Sequence, residues 1–466
     1  MIYEHPPGFR SRRVLNWFFL GLTYASYYLC RYNLGIVAPE LKATLGFSNF
    51  QYGAIDAARN WAYAVGQFIN GLFTDRLGGK RAMTIGAVGT AVLNIAFGWV
   101  AWSDLSIMFI TLLIIRLLDG YVQAFGAPGM VKINTAWFRR RERGTFAGIF
   151  GIMINLGQMG AYYLGSLLTA GASIPIIFTV LKIPSMDWRY IFFIPPVFVL
   201  IIICFMNALV RNHPEEVGYR ISHDDEESDD DPHEQLSMGE IFKKITSNGI
   251  VWIVAGAYFC TGFVRTSIAA WWVIFFDEVY NMDKTTMLYY ILGTFLIPWL
   301  ASAGSLFSGI VSDKLFGGKR APVAALLYFA QVVCIVLAIM MAMGHLPIPF
   351  PSRISPANFS AILLLGIHVG CNATHSLLGT AAAMDLGGRK MAGFAAGVID
   401  SFQYFGAGLA GLGLGKLLDR YALGTADAPT MNPTVWFASM LPWAILGTLL
   451  MTYLWLKHRG SDAAGT

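Results

Sequence analysis

Two arginines lie where arginine is expensive. Arg31 sits in YASYYLCRYNLG, residues 24–35, inside an apolar run that begins near Val14. Arg265 sits in CTGFVRTSIAAWW, inside another such run. A guanidinium in the middle of a bilayer costs roughly 3 kcal/mol on insertion scales. Arginine presents a planar fork of donors that stays charged at working pH. Two forks match the oxygens of a phosphoryl group, each contact charge-assisted and suited to bidentate pairing. Left unneutralised in a low-dielectric cleft, the two also repel each other. An anion offsets both burial and repulsion. An empty site of this kind resists closing and an occupied one permits it, which favours exchange over net transport.

The competing explanation is that each arginine pairs with a buried carboxylate. Asp56, Asp119, Asp385 and Asp400 are the candidates. Asp56 has Arg59 and Asp119 has Arg116 at i,i+3 on a helix, and Asp385 adjoins the basic Arg389 and Lys390. Asp400 has no local partner. Three roles stand open for it: counter-ion to Arg265, proton carrier, or ligand for an amino group on a substrate. Around Arg31, Tyr24, Tyr27 and Tyr28 share one helical face. Their hydroxyls either donate to phosphate oxygens or pack between helices. Tyr63 and Gln67, at i,i+4, give another helix a polar face, and Asn155, Gln403 and Tyr404 do the same elsewhere. His375, in CNATHSLLG, reads as the one histidine deep in a membrane segment. It is either a proton-sensitive anion contact or a satisfied interhelical donor.

The elements that position these groups follow from composition. The chain has 466 residues, 56% hydrophobic and 13% charged, where soluble domains carry about 25% charged residues. Twelve apolar runs are long enough to cross a bilayer, which takes about 20 residues each. They lie at 14–38, 52–74, 82–101, 106–128, 144–170, 189–210, 249–276, 288–312, 321–344, 358–384, 391–415 and 433–456. GLFTDRLGGKR at 71–81 recurs as GIVSDKLFGGKR at 309–320, with Trp61 matching Trp299 and Gly66 matching Gly304 at an offset of 238 residues. TFAGIFGIMINLGQMGA at 145–161 finds a looser echo at 394–410. The expected fold is an all-α membrane protein, twelve transmembrane helices in two pseudo-symmetric six-helix halves. The expected division is residues 1–210, a linker at 211–248, and residues 249–466. Carried back from Arg31, the offset lands near Arg265, so each half brings one arginine to the interface where repeat transporters hold substrate.

Arg10, Arg12, Arg13, Arg76, Lys80, Arg81, Arg139–Arg141, Arg143, Lys314, Lys319, Arg320, Arg389 and Lys390 fall on one side of this arrangement. The positive-inside rule puts both termini and the linker in the cytoplasm. The net charge of +5 therefore belongs to loops, and no nucleic-acid partner is expected. MIYEHPPGFRSRR is polar and reads as no cleavable signal peptide. The five cysteines fall in apolar runs without metal spacing. HDDEESDDDPHEQ is a solvated acidic linker whose histidine spacing is not diagnostic of metal. With no P-loop, nucleophile elbow or H-E-x-x-H, no enzyme, metal or cofactor is expected.

These motifs resemble the major facilitator superfamily over the whole chain. The pattern G-x-x-x-D-R-x-G-G-K-R at 71–81, repeated at 309–320, carries the likeness, and RLLDG at 116–120 is similar to its R-x-x-x-G pattern. The resemblance implies a loop that closes the cytoplasmic side: Asp75 and Asp313 cap helices and pair with basic groups near Arg143, with Arg76 and Lys314 in the same loops. Within the superfamily, YYLCRYN and FVRTSIAAWW resemble the organophosphate:phosphate antiporters, and RNHPEEVGY at 211–219 is similar to their D-x-P-x-x-x-G signature. That likeness implies that Arg31 and Arg265 clamp a phosphoryl group, with Tyr24, Tyr28, Tyr63 and Tyr404 as site tyrosines. Asn155 and Gly157 match part of the H-N-x-G-G motif. Gln67 stands where many members have lysine, Ile154 where they have histidine, and CNATH where they have a tyrosine-glycine-proline turn. R-x-N-L-x-x-x-A-P-E-L at 31–41 and YAVGQFING at 63–71 are similar instead to the anion:cation symporters. Their proton-coupling glutamate falls near Gln123, which carries no proton and is grouped here with the substrate-facing residues.

The leading expectation is a plasma (inner) membrane exchanger of a phosphorylated or phosphonate organic anion for inorganic phosphate, working as a monomer. The alternatives are a proton-coupled symporter of an organic carboxylate, with Asp400 or Asp119 essential, and a transporter-like sensor.

Overall fold

In lipid, a helix satisfies every backbone N–H and C=O within its own segment, and helices are what the apolar runs form. The computed structural model describes residues 7–103, 106–138, 143–176, 179–219, 240, 243–244, 246–282, 286–317, 319–345, 354–425 and 428–463. The first half comprises α1 (Phe9–Arg31), α2 (Asn33–Ile36), α3 (Ala38–Leu45), α4 (Asn49–Leu77), α5 (Gly79–Val100), α6 (Met108–Gln123), α7 (Gly126–Trp137), α8 (Arg143–Ala170) and α9 (Ile194–Leu209). The second comprises α10 (Gly249–Tyr280), α11 (Met287–Ile291), α12 (Ile297–Leu315), α13 (Arg320–Ala342), α14 (Pro356–Ser376), α15 (Ala383–Arg420) and α16 (Pro433–Ala463). Two small antiparallel hairpins, Ala172–Ile176 with Thr179–Ile183 and Leu423–Thr425 with Ala428–Thr430, decorate the connections. The acidic run HDDEESDDDPHEQ lies outside the described residues.

Seven described stretches are long and apolar enough to cross a membrane on that ground alone. The predicted segments missing from that set are 14–38, 52–74, 144–170, 288–312 and 391–415. They are helical too, and each carries polar residues that line an internal cavity; Ile297–Ser312, within 288–312, is apolar but shorter than a full span. The first segment is not one helix. It stops at Arg31, passes through Tyr32, and restarts as α2 and α3. Between α14 and α15 the helical pattern continues without a loop. Yet His375 meets Tyr258 and Gln403 lies against Gly262, one turn further along α10. A straight helix would put residues 375 and 403 about 42 Å apart, so the chain doubles back between them.

The halves meet tightly at one end. There α4 runs along α15, with Gly53 facing Gly411, and a Cβ on Gly411 would lie 2.6 Å from the Gly53 oxygen. Tyr52 donates to the Ala270 carbonyl at 2.7 Å, and the Trp272 indole donates to the Tyr162 hydroxyl at 3.0 Å. Lys42 pairs with Glu278 at 2.6 Å. Asp419, from the second half, accepts the N–H groups of Asn49 and Phe50 at 2.8 and 2.7 Å, so it caps α4 across the interface. Around these contacts Trp271, Trp272, Phe275, Phe276 and Trp436 are fully buried.

Gly411→Val should prop this end open. Overpacking a fitted contact costs about 1–3 kcal/mol, which shifts a two-state population roughly tenfold. A cysteine placed at the buried Ala270 should then react about tenfold faster with an impermeant thiol reagent. Unchanged labelling would show that closure does not need the glycine contact.

At the other end, the exit from α9 folds back under the first half. Asn16 accepts from the Arg211 N–H at 2.7 Å, Trp137 donates to the Arg211 carbonyl at 2.9 Å, and Tyr219 packs edge-on against Phe9. This is the RNHPEEVGY segment.

Candidate functional site

Between the halves lies a cavity of about 680 Å³, bounded by Gly35, Tyr52 and Ala270 at the closed end and reaching Phe138 at the other. It is open on the side where α7 finishes.

Arg31 is the last residue of α1, where the helix stops. Its Nε donates to Gln123 Oε1 at 2.9 Å, and its guanidinium lies 4.8 Å from the ring centres of both Tyr28 and Tyr63. Its Nη2 is buried with no hydrogen-bond partner among the described residues. Behind it is a closed polar network. Asp119 accepts from Thr90 at 2.6 Å, from Arg116 at 3.0 Å, and from Gln123 at 3.1 Å on both oxygens. Arg116 in turn reaches the carbonyls of Cys30 and Arg31 at 3.4 Å, the oxygens freed where α1 ends. Asn33, just past the break, donates to Asn94 at 2.7 Å. The α1 break and the arginine's direction are thus fixed by one buried network.

Arg265 faces the same cavity from mid-α10. Neither Arg31 nor Arg265 forms an ion pair with a carboxylate among the described residues. Asp56 and Asp119 do pair locally, with Arg59 at 3.3 Å and Arg116 at 3.0 Å. Asp400 lines the cavity within electrostatic reach of Arg265 and Arg31, yet it makes no hydrogen bond or ion pair with any described residue. The expected counter-ion contact to Arg265 is therefore not formed in this state.

Tyr24, Tyr28, Tyr63, Gln67, Asn155, His375 and Tyr404 also line the cavity. Tyr63 and Tyr404, from opposite halves, have ring centres 4.4 Å apart. Asn155 hydrogen-bonds Ser302 across the interface. His375 Nδ1 bonds the Tyr258 hydroxyl at 2.5 Å, so it is interhelically satisfied while still facing the cavity. Two expectations need correction. Gln123 does not line the cavity, because both ends of its amide are taken by Arg31 and Asp119. His375 is not the one histidine deep in the membrane, for His368 is buried two turns earlier on α14. Tyr27 likewise turns away and donates to the Met83 carbonyl at 2.6 Å, a packing role.

Arg59, Asn60, Asn134, Ser305 and Asn372 line the cavity without having been singled out as ligands. A signal existed for two of them: Asp56, Arg59, Asn60, Tyr63 and Gln67 form one continuous stripe at helical spacing. Arg76 and Lys314 are exposed at the ends of α4 and α12. The side chains of Asp75, Arg143 and Asp313, and hence the expected loop pairing, lie outside the described residues.

The comparisons agree with this architecture. The family model for the Major Facilitator Superfamily matches residues 20–411. The chain is 27% identical to the glycerol-3-phosphate transporter of Bacillus subtilis, over 85% of this chain and 84% of that protein. It is 28% identical to the membrane sensor protein UhpC of Escherichia coli, over 90% and 89%, and 27% identical to a probable hexose phosphate transport protein of Chlamydia trachomatis, over 87% and 84%. Among solved structures, a bacterial homolog of the human lysosomal transporter Spinster, inward-facing and unoccupied, matches with a TM-score of 0.70 at 16% identity, over 96% of this chain and 95% of that one.

Proposed function

Because the chain belongs to the Major Facilitator Superfamily, we propose that it is a secondary transporter of a small phosphorylated or phosphonate-bearing organic anion, exchanging it for inorganic phosphate by alternating access. The observation that carries this reading is the pair Arg31 and Arg265, one from each half, facing one cavity with no carboxylate among the described residues paired to either. Tyr24, Tyr28, Tyr63 and Tyr404 supply hydroxyls and ring faces beside them, and Gln67 and Asn155 shape the organic end. The curated relatives named for glycerol 3-phosphate and hexose phosphate support the phosphoryl head group. An anion bound by both forks draws the halves together, so closure at the open end follows occupancy, a population shift by differential affinity. The protein sits in the plasma (inner) membrane as a monomer, with termini, linker and the open end of the cavity on the cytoplasmic side.

The test is labelled phosphate uptake into proteoliposomes. Preloading with unlabelled phosphate should drive uptake, and an inward proton gradient without preloading should not. If phosphate moves in neither case and does not bind, the two arginines serve another anion and the carboxylate symport reading replaces this one. A second reading follows from the sensor relative in Escherichia coli: a protein that binds phosphate and organophosphates yet moves neither in proteoliposomes is a sensor built on the same site.

A further inference from the structure

The cavity holds a carboxylate that the phosphoryl clamp does not use. Asp400 projects from α15 one turn before Tyr404 and makes no hydrogen bond or ion pair with any described residue. An unpaired carboxylate in a membrane interior is costly and marks a function. Among the described residues that line the cavity, three guanidiniums (Arg31, Arg59, Arg265) meet two carboxylates (Asp56, Asp400). Arg59 and Asp56 neutralise each other at 3.3 Å. The remainder is two forks and one free carboxylate, a net charge of plus one. A cargo of net charge minus one leaves the closed cavity neutral. Singly charged inorganic phosphate meets that condition. A simple phosphate ester does not, because its second proton leaves near pH 6 and it enters as a dianion. A phosphate ester that also carries a protonated amine does meet it, and it places a cation where Asp400 stands.

We propose that Asp400 is an ammonium subsite, and that the preferred organic cargo is a zwitterion with a phosphate or phosphonate at one end and a primary amine at the other. This rests on the phosphoryl-clamp reading above and names its substrate class. The phosphoryl end takes Arg31 and Arg265. The amine takes Asp400, with the rings of Tyr63 and Tyr404 alongside, where a cation over an aromatic face gains further attraction. Both exchange partners then carry the same charge, and the exchange moves no net charge across the membrane.

Calorimetric binding to the purified full chain tests this with three probes: inorganic phosphate, ethyl phosphate and phosphoethanolamine. Phosphoethanolamine should bind at least about tenfold tighter than ethyl phosphate, since a hydrogen bond to a charged group contributes about 1.5–3 kcal/mol. Asp400→Asn should erase that preference and keep phosphate binding. Asp400→Glu should keep the preference. N-acetylation of the probe should remove it in the wild-type protein, a control that needs no variant. Equal binding of the two esters by wild type overturns the proposal, as does a preference that survives in Asp400→Asn. Loss of all phosphate binding in a folded Asp400→Asn overturns it as well, because Asp400 would then serve the anion site or a proton. Wild type that binds none of the three probes overturns the phosphoryl clamp itself.

Discussion

Arg265→Lys should lower phosphate affinity about a hundredfold, because the variant keeps the charge but loses the fork. Two charge-assisted hydrogen bonds at about 1.5–3 kcal/mol each exceed what a single ammonium replaces, and about 2.7 kcal/mol is a hundredfold. Arg31→Lys should match that loss and add a second one. Its Nε bond to Gln123 and its contact with the Tyr28 and Tyr63 rings hold the side chain in place, and lysine lacks the planar fork that meets both at once. The two variants therefore separate in the apo state. Arg31→Lys should melt below the wild-type protein. Arg265→Lys, which gives up no hydrogen bond to a described residue, should melt near it. Melting curves with and without phosphate, together with exchange rates in proteoliposomes, read both effects. Unchanged phosphate affinity in both variants would sink the clamp.

Asp119→Ala should be the most damaging single substitution in the first half. Thr90, Arg116 and Gln123 all donate to this carboxylate, and its removal leaves Arg116 as an uncompensated charge that is 1% exposed. Breaking a buried pair from one side costs about 3–5 kcal/mol. Gln123 would lose its anchor, and Arg31 its orientation, so residual protein should also bind phosphate weakly. Asp119→Asn keeps one acceptor oxygen, enough for Thr90 or Arg116 but not both, and should fall between. A melting temperature in Asp119→Ala equal to wild type would refute the network. The same geometry weighs against Asp119 as a proton carrier, since it is enclosed by donors and does not face the cavity. Among the alternatives of the symport reading, that leaves Asp400.

The arginine pair was legible in the sequence because charge in a long apolar run has few explanations, and the 238-residue repeat joined the two. The local pairing of Asp56 and Asp119 was legible because i,i+3 spacing on a helix determines reach. What spacing does not tell is which neighbouring helix a polar face meets. Gln123 shares a stripe with Asp119 and Arg116, and only the hydrogen bonds from α6 to the end of α1 show that the stripe holds Arg31 from behind instead of facing the cavity. The end of α1 at Arg31 was hidden for a related reason. CRYNLGI contains no proline, and its glycine, Gly35, lies inside α2, past the break. The helix stops where Arg116, far along the chain, takes the carbonyls of Cys30 and Arg31 and the Asn33 side chain, held by Asn94, takes the Leu34 N–H. The doubling back between α14 and α15 is signalled only by Gly387-Gly388 and the basic Arg389 and Lys390 that follow. The glycines of α4 and α15 read as ordinary membrane-helix glycines until the two helices were seen backbone to backbone.

The cap that Asp419 places on α4 has a consequence for how the closed end comes apart. The contact is a plug in a socket, and the socket is main chain: two N–H groups at the head of a helix. No side-chain change at positions 49 or 50 removes those donors, short of proline, so variation at the exposed position 50 should be silent while position 419 carries the capping effect. When the halves part, Ser48 keeps its own bond to Gln51, but the two amides above it must be wetted, at a helix-end charge interaction of about 0.3–1 kcal/mol. Separation at this end therefore wets one specific main-chain point along with breaking the Lys42–Glu278 and Tyr52–Ala270 contacts, and that point lies at the end of the cavity away from Phe138.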